Sequence, residues 1–276
     1  MKGRGQFLAC ALAASLAAGA ASLPVPGDEA LEAVRADVEE LARGDYAALE
    51  RGGMTHAELA ASLLDYARNA EDPAAVYLLR RAAFRQHLAG GGVAAAEALY
   101  DRMAREGGLE YAQAIARFSS RALARQVAAK TPGAKAFSAR LAAAEKRVRA
   151  VEAARADAEQ TPDDLAARER YAASLAVLGD WSGALAQFAR LGGREGALAL
   201  FERRYPRTGV TRLTTADVAD RWWSYAETAG LPASDAAPFR RHAAAWYRLA
   251  VTNGVLRGVR RQIAEKRALE AEAAAK

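Results

Sequence analysis

Alanine is the commonest residue of this 276-residue chain, and β-branched residues are sparse. Alanine loses no side-chain entropy in a helix, whereas β-branched side chains lose rotamer freedom there. Apolar residues also recur at steps of three and four positions, which is the spacing of one helix face. The clearest runs are Leu59, Leu63 and Tyr66; Phe137, Leu141, Ala144, Val148 and Val151; and Phe239, Ala243, Trp246 and Ala250. The sequence therefore predicts an all-α protein.

Capping residues and glycines divide the chain into about twelve predicted helices. Asp72-Pro73, Thr131-Pro132 and Thr161-Pro162 each place a capping residue before a proline, which is tolerated at the first helical position. Thr55 and Glu58 have the spacing of a capping box. Predicted helix ends coincide with glycines at 44, 52–53, 90–92, 107–108, 179, 192–193 and 230. The best strand candidate, residues 210–213, is too isolated to build a sheet.

Two segments have the residue spacing of a tetratricopeptide unit. In one, Ala172 and Ala184 would let two antiparallel helices approach closely, Gly179 would make the turn, and Phe188 would pack on the next unit. A similar spacing begins at Gly91, but 88 residues separate the two segments, which is not a multiple of the 34-residue period. We therefore predict a degenerate tetratricopeptide-like α-solenoid of stacked antiparallel helix pairs. The predicted regions are 28–160, with a long helix at 133–160; 161–270; and a frayed tail, 271–276.

The first 22 residues have the layout of a secretory signal peptide. Lys2 and Arg4 precede an apolar run from Phe7 to Leu16, and Ala18-Gly19-Ala20 forms a small-residue cleavage site. We expect a periplasmic or extracellular protein, associated with a membrane only if this segment is retained. Cleavage there would remove Cys10, the single cysteine, and with it any disulfide, thiol nucleophile or thiolate metal site. It would also lower the formal charge from +6 to +4.

The C-terminal region contains a paired-tryptophan motif. The sequence WWSYAE at 222–227 is followed by AAAWYRLA at 243–250 and EKRAL at 265–269, and LGDWSGAL at 178–185 precedes them. In this order, over residues 54–269, the chain resembles a mostly uncharacterised family of secreted, alanine-rich helical proteins of planctomycetes, verrucomicrobia and related bacteria. The resemblance implies a helical fold and export, and it implies no catalytic residue. The chain departs from that pattern at Ala268, where a charged residue is usual.

The aromatic residues of this motif have two interpretations. Exposed aromatic rings stack on sugars or anchor peptides, whereas buried ones form a core between the last helix pairs. Adjacent residues on a helix point about 100° apart, so one member of each pair should pack inside. We therefore expect Trp223 and Tyr247 to be partly exposed and, with Arg240 and Arg241, to be candidates for partner binding. The predicted structural set is Trp181, Trp222, Trp246, Ala184 and Phe188.

No pattern in the sequence indicates catalysis. His56, His87 and His242 lie far apart and lack partners at ligand spacing, so we expect no metal. Nucleophile-elbow, phosphate-loop and zinc-protease motifs are absent from the sequence. We therefore expect a non-enzymatic protein without a cofactor.

Binding is the predicted function, and two interpretations stay open. The first is a protein–protein interaction scaffold that holds a protein or peptide segment, as helical solenoids commonly do. The second is a polysaccharide- or cell-wall-associated module that uses exposed aromatics and arginines. Basic doublets such as Arg80-Arg81 could form a groove for an acidic polysaccharide or could simply solvate helix faces. Nucleic acid is not an expected partner of an exported chain.

Cleavage of the signal peptide can be tested directly. On expression in a bacterium with a secretory pathway, we expect the chain to be recovered outside the cytoplasm and shortened after Ala20, because the small residues there suit signal peptidase. Intact-mass spectrometry measures the shortening. A full-length chain held in the membrane fraction would instead show that the segment is retained as an anchor.

Overall fold

A computed structural model describes residues 23–205 and 214–273. The predicted signal peptide and the candidate strand at 210–213 lie outside these residues. The described residues form twelve helices: α1 Asp28–Glu50, α2 His56–Asn69, α3 Pro73–Ala89, α4 Val93–Arg117, α5 Ser120–Ala128, α6 Ala134–Gln160, α7 Leu165–Leu178, α8 Trp181–Phe188, α9 Gly193–Arg204, α10 Thr215–Thr228, α11 Ala233–Thr252 and α12 Gly258–Ala273. Within these ranges there is no strand.

Neighbouring helices pack against each other along the chain. The most extensive contacts join α10 with α11, α2 with α3, α11 with α12, and α7 with α8. Short turns connect the helices of each of these pairs, so their helices run antiparallel. The structure therefore confirms the prediction of an all-α helical-repeat fold.

The described chain divides into two compact units, and the boundary between them falls within α6. One unit ends at Val148 and the other begins at Arg149, whereas the sequence placed the division at 160/161. The reason lies in the apolar stripe of α6. Phe137, Leu141 and Ala144 belong to the core of the first unit, and Val151 belongs to the core of the second. The end of α6 at Gln160 is thus not the boundary between the two hydrophobic cores.

The N-terminal unit has a core of leucines, alanines and aromatic rings from α2 to α6. Phe137 packs edge-on against Phe84 and Tyr100, with ring centroids 6.3 and 5.9 Å apart. The Tyr100 hydroxyl donates a hydrogen bond to Gln113 Oε1, and Gln113 Nε2 donates to the Leu141 carbonyl. These contacts join α4 to α6, and burial raises the pKa of Tyr100 to about 12.

The C-terminal unit contains the predicted tetratricopeptide-like pair, α7 and α8. Ala172 and Ala184 are fully buried where these helices pack. Gly179 makes the turn with φ of +98°, and the Asp180 side chain accepts a hydrogen bond from the Gly183 amide, 2.8 Å away. Phe188 lies with its ring centroid 5.2 Å from that of Trp222 on α10. The two alanines are buried where α7 and α8 approach closely, and the Phe188 ring packs against a later helix. Both observations confirm this part of the prediction.

Several predicted helix ends differ from those of the structure. The Thr55–Glu58 capping box and the Asp72 cap form as expected. However, α6 and α7 begin two and three residues beyond the predicted prolines, and Asp164, not Thr161, caps α7. The Thr161 hydroxyl instead donates to the Asp157 carbonyl and so closes α6. Gly44 lies inside α1 rather than at its end.

The C-terminal tail begins later than predicted. Helix α12 continues to Ala273, and Ala268 and Ala271 are buried against the C-terminal core. The alanines face the core and the charged residues face solvent, so the helix is held by packing up to this point. The predicted frayed tail at 271–276 is therefore wrong for residues 271–273.

Two glycine substitutions should change stability in opposite directions. Gly44→Ala should raise the free energy of unfolding by roughly 0.5–1 kcal/mol, because Gly44 is interior to a helix with open space around a new Cβ. Gly179→Ala should lower the free energy of unfolding by about 1–2 kcal/mol, because its positive φ disfavours a Cβ. Urea unfolding followed by circular dichroism measures both. Equal effects of the two substitutions would contradict the assigned backbone conformations.

Candidate functional site

An open cleft of about 410 Å³ lies in the N-terminal unit, between α1, α3 and the turn joining α4 to α5. Three arginines and one glutamate supply its charged lining: Arg35, Arg81, Arg85 and Glu39. Its floor includes the buried side chains of Ala42, Leu63 and Leu78. We call this feature the basic cleft, and it combines an apolar floor with an excess of positive charge.

Helix α3 directs the two arginines of the Arg80-Arg81 doublet to different environments. Arg80 donates a hydrogen bond to Glu106 at 2.7 Å and is thereby ion-paired. Arg81 lines the basic cleft, as does Arg85 one helical turn later, and neither forms an ion pair within residues 23–205 and 214–273. The sequence could identify the doublet, but only the helix orientation separates a paired arginine from an unpaired one.

Arg81 lies in an unfavourable environment for a cation. Burial lowers the pKa of Arg81, the charge interaction with the Tyr77 phenol group opposes this shift, and repulsion from Arg35 and Arg85 lowers the pKa further. The guanidinium of Arg81 also lies 4.4 Å from the centroid of the Phe118 ring. An arginine stacked on an aromatic face keeps its N–H edge available for a second partner.

The turn between α4 and α5 contributes two further side chains to the basic cleft. Phe118 is 63% exposed, which is unusual for so large an apolar side chain. Ser119 is only 2% exposed, and its hydroxyl has no hydrogen-bond partner among the described residues. Ser119 occupies the N-cap position of α5, yet its side chain does not cap the helix. A buried hydroxyl without a partner is costly to the folded state and marks a place where a polar ligand would be stabilised.

The predicted partner-binding aromatics lie elsewhere, in the core of the C-terminal unit. Trp223 is 5% exposed and Tyr247 is 2% exposed, so the prediction that they are partly exposed is wrong. Both faces of α11 are covered, since α11 packs against α10, α12 and α7. The rule that one of two adjacent residues faces outward holds only for a helix with one buried face. Both members of each aromatic pair are therefore core residues.

Charged side chains enclose Trp223 and Tyr247. The Tyr247 hydroxyl donates to Asp220 at 2.6 Å and accepts from Arg267 at 2.5 Å. Burial first, and then the Asp220 carboxylate, raise the pKa of Tyr247 far above its ordinary value. Arg240 and Arg267 lie over the Trp223 ring, 5.8 and 5.1 Å from its centroid. These contacts join α10, α11 and α12 and leave the Trp223 ring no free face for stacking a sugar.

The two predicted arginines differ in environment. Arg240 is half-buried over Trp223, and its Nε atom has no partner among the described residues. Arg241 is exposed on α11, beyond the aromatic cluster. The structure therefore brings Arg240 together with Trp223 and leaves Arg241 apart from them.

A buried hydrogen-bond network connects three helices of the C-terminal unit, and a stacked aromatic ring joins it to a fourth. Glu202 of α9 accepts from Trp222 Nε1 at 2.8 Å and lies 2.5 Å from His242 Nε2. Trp246 Nε1 lies 3.2 Å from the same His242 nitrogen, and the Trp181 ring stacks on the imidazole at 3.6 Å between centroids. The side chains of Glu202 and His242 are only 2% and 5% exposed. This closed arrangement gives a substrate no access and has the character of a structural network.

Sequence reasoning missed this network. His242 stands 40 residues from Glu202, and local spacing carries no signal over such a distance. The only indication in the sequence is the predicted core face that places His242 between Phe239 and Trp246. Three of the four predicted structural aromatics, by contrast, do meet: Trp181 lies 5.6 Å from Trp222, and Trp222 lies 5.2 Å from Phe188. The fourth, Trp246, is linked to them through His242, and its ring packs against Phe201 and Tyr205.

Within 23–205 and 214–273, no group of three or more histidine, cysteine, aspartate or glutamate side chains is placed to hold a metal ion. None of the helices in these ranges is both long enough and apolar enough to cross a membrane.

Comparison with known proteins returned no matching family model, no matching curated protein and no matching solved structure. The functional conclusions for this chain therefore depend on its own geometry.

Breaking the Glu202–His242 pair should strongly destabilise the C-terminal unit. Glu202→Leu leaves the Trp222 indole N–H and the His242 ring without their partner, so we expect the free energy of unfolding to fall by about 3–5 kcal/mol. Urea unfolding monitored by tryptophan fluorescence reports on this unit, because all four tryptophans lie within it.

The matched control is Glu265→Ala, which breaks the exposed Arg261–Glu265 pair and should change stability by no more than about 0.5 kcal/mol. Adding His242→Leu to Glu202→Leu should recover part of the loss, because both buried polar groups are then removed. A double variant whose loss equals or exceeds the sum of the two single losses would contradict a direct interaction.

Proposed function

We propose that this protein is a non-catalytic, exported helical-repeat protein that acts as a protein–protein interaction scaffold in the periplasm or outside the cell. Its partner docks in the basic cleft of the N-terminal unit. The C-terminal aromatic cluster serves the fold of its own unit rather than the partner. The proposal concerns binding alone and assigns no reaction to the chain.

The observation that carries this proposal is the combination of unpaired arginines and an exposed aromatic ring at one cleft. Arg81 and Arg85 lack ion pairs among the described residues, and Phe118 exposes most of its surface beside them. Arginine and aromatic residues are enriched where protein interfaces carry their binding energy. Other described arginines, such as Arg203 and Arg241, also form no ion pair among the described residues, so it is the exposed Phe118 ring beside two unpaired arginines that distinguishes this cleft.

The polysaccharide interpretation has lost its main support. It depended on exposed rings at Trp223 and Tyr247, and both rings are buried. Phe118 is a single exposed ring, and Arg81 covers one of its two faces. One ring with one covered face is a small platform for a sugar chain, so we favour a protein partner and treat polysaccharide as an outcome of the tests.

Site-specific photo-cross-linking tests the scaffold in the cell that encodes it. A photoreactive phenylalanine analogue at Phe118 should form a covalent adduct with one defined protein, because a docked partner lies within reach of the ring. The control position is Leu269 on α12, which is 66% exposed against 63% for Phe118 but lies outside the cleft. Gel shift and mass spectrometry identify the adduct.

The adduct should disappear when Arg81→Gln and Arg85→Gln are combined with the cross-linker. Equal labelling at Phe118 and Leu269, or labelling that survives both arginine changes, would show that the reaction is non-specific and would overturn the proposal. Labelling at neither position would do the same.

A further inference from the structure

The basic cleft has more specific chemistry than a general docking surface. We propose that it binds a carboxylate of an acidic peptide segment, held by Arg81, Arg85 and the Ser119 hydroxyl, with a neighbouring aliphatic side chain of the segment on the apolar floor. This inference rests on the proposed function and names the chemistry of the partner.

The arginines supply the reason for an anionic group. Arg35, Arg81 and Arg85 converge on the cleft from α1 and α3, and Glu39 is the single carboxylate that lines it. Arg35 is already paired with Glu32 at 3.1 Å, so Arg81 and Arg85 are the cations left for a ligand. A carboxylate matches the planar fork of a guanidinium and would relieve the repulsion among the three arginines.

Ser119 is the independent observation that points to a ligand. Ser119 lines the cleft, and its buried hydroxyl has no partner in the described part of the chain. A hydroxyl can donate one hydrogen bond, and a carboxylate oxygen is a strong acceptor. The positive end of the α5 dipole also lies at this residue, since Ser119 is the N-cap of that helix. The hydroxyl and the helix end both favour a negative group at the same wall of the cleft.

The floor of the cleft selects a peptide over other carriers of carboxylates. Val38 and Ala82 line the cleft and are only partly buried, so they give it an accessible apolar surface, and Ala42, Leu63 and Leu78 lie buried beneath it. An aliphatic side chain next to an acidic residue would bury its methyl groups there, at a gain proportional to the area covered. A uronic acid polymer carries carboxylates but no aliphatic side chain, so it would leave this floor unused.

Fluorescence anisotropy with the full chain tests the inference. The probe is a fluorescein-labelled heptapeptide with one leucine followed by two glutamates, and the matched probe has glutamines at the two acidic positions. We expect the acidic peptide to bind and the glutamine peptide to bind at least tenfold more weakly. Arg81→Gln and Arg85→Gln should each raise Kd about tenfold, the loss typical of one charge-assisted contact.

The matched control for charge is Arg147→Gln. Arg147 is exposed on α6, a helix that contributes no residue to the cleft lining, so this change removes the same charge without touching the site. Kd should stay within about twofold of the wild-type value, since a distant exposed charge is screened.

Ser119→Ala separates a ligand-binding role from a structural one. Removal of a buried hydroxyl without a partner should leave the melting temperature unchanged or raise it, yet weaken the acidic peptide severalfold. A lower melting temperature with unchanged Kd would show that the hydroxyl serves the fold, and it would overturn its assignment as a ligand.

The remaining outcomes are decisive as well. Equal binding of both peptides, no binding of the acidic peptide, or equal loss with Arg147→Gln would overturn the inference. Polygalacturonate that binds in an Arg81-dependent manner where the peptide does not would replace the peptide by an acidic polysaccharide.

An adduct at Phe118 in cells without acidic-peptide binding would leave the scaffold function standing and remove only this inference. Peptide binding without an adduct would remove the scaffold function alone.

Discussion

The fold of this protein depends on the close approach of alanine-rich helices. Ala172 and Ala184 let α7 and α8 pack closely, but an alanine side chain buries little apolar area. Aromatic rings bury about 150–250 Å² each and therefore supply much of the hydrophobic stabilisation. Phe137 in the first unit and Trp222 in the second each contact two or more other rings. Small residues set the spacing of the helices, and a few large ones fill the space between helix pairs.

Buried polar groups of this protein differ in how they are paired and in what surrounds them. In the C-terminal unit, the donors and acceptors of Glu202, His242 and Trp222 are matched to each other, so a buried carboxyl group becomes part of the packing. At the basic cleft, the Ser119 hydroxyl has no partner among the described residues, and Arg81 forms no ion pair there. Arg240 Nε also lacks a partner, but it lies over the buried Trp223 ring rather than at an open cleft. Unpaired groups at an open cleft are the physical basis for placing the proposed partner there.

Most of the fold could be predicted from the sequence, because helix periodicity and helix capping are local properties. The stripe from Phe137 to Val151 is buried along its whole length, and the Thr55–Glu58 capping box forms. Helix ends were predicted less well where a residue type is compatible with more than one position in a helix. Thr161 closes one helix rather than opening the next, and Gly44 is accommodated within a helix whose other residues favour helical structure.

The sequence by itself determined the all-α class, the approximate number of helices and the faces that carry the cores, since these follow from spacing over a few residues. Only the tertiary structure decided that Trp223 and Tyr247 are buried, because exposure depends on how many neighbours pack around α11. The tertiary structure also pairs Arg80 with Glu106 while Arg81 lines the cleft, and it places Ser119 at the same cleft. A binding site joins residues that are distant in the chain, and their meeting is set by packing rather than by local periodicity.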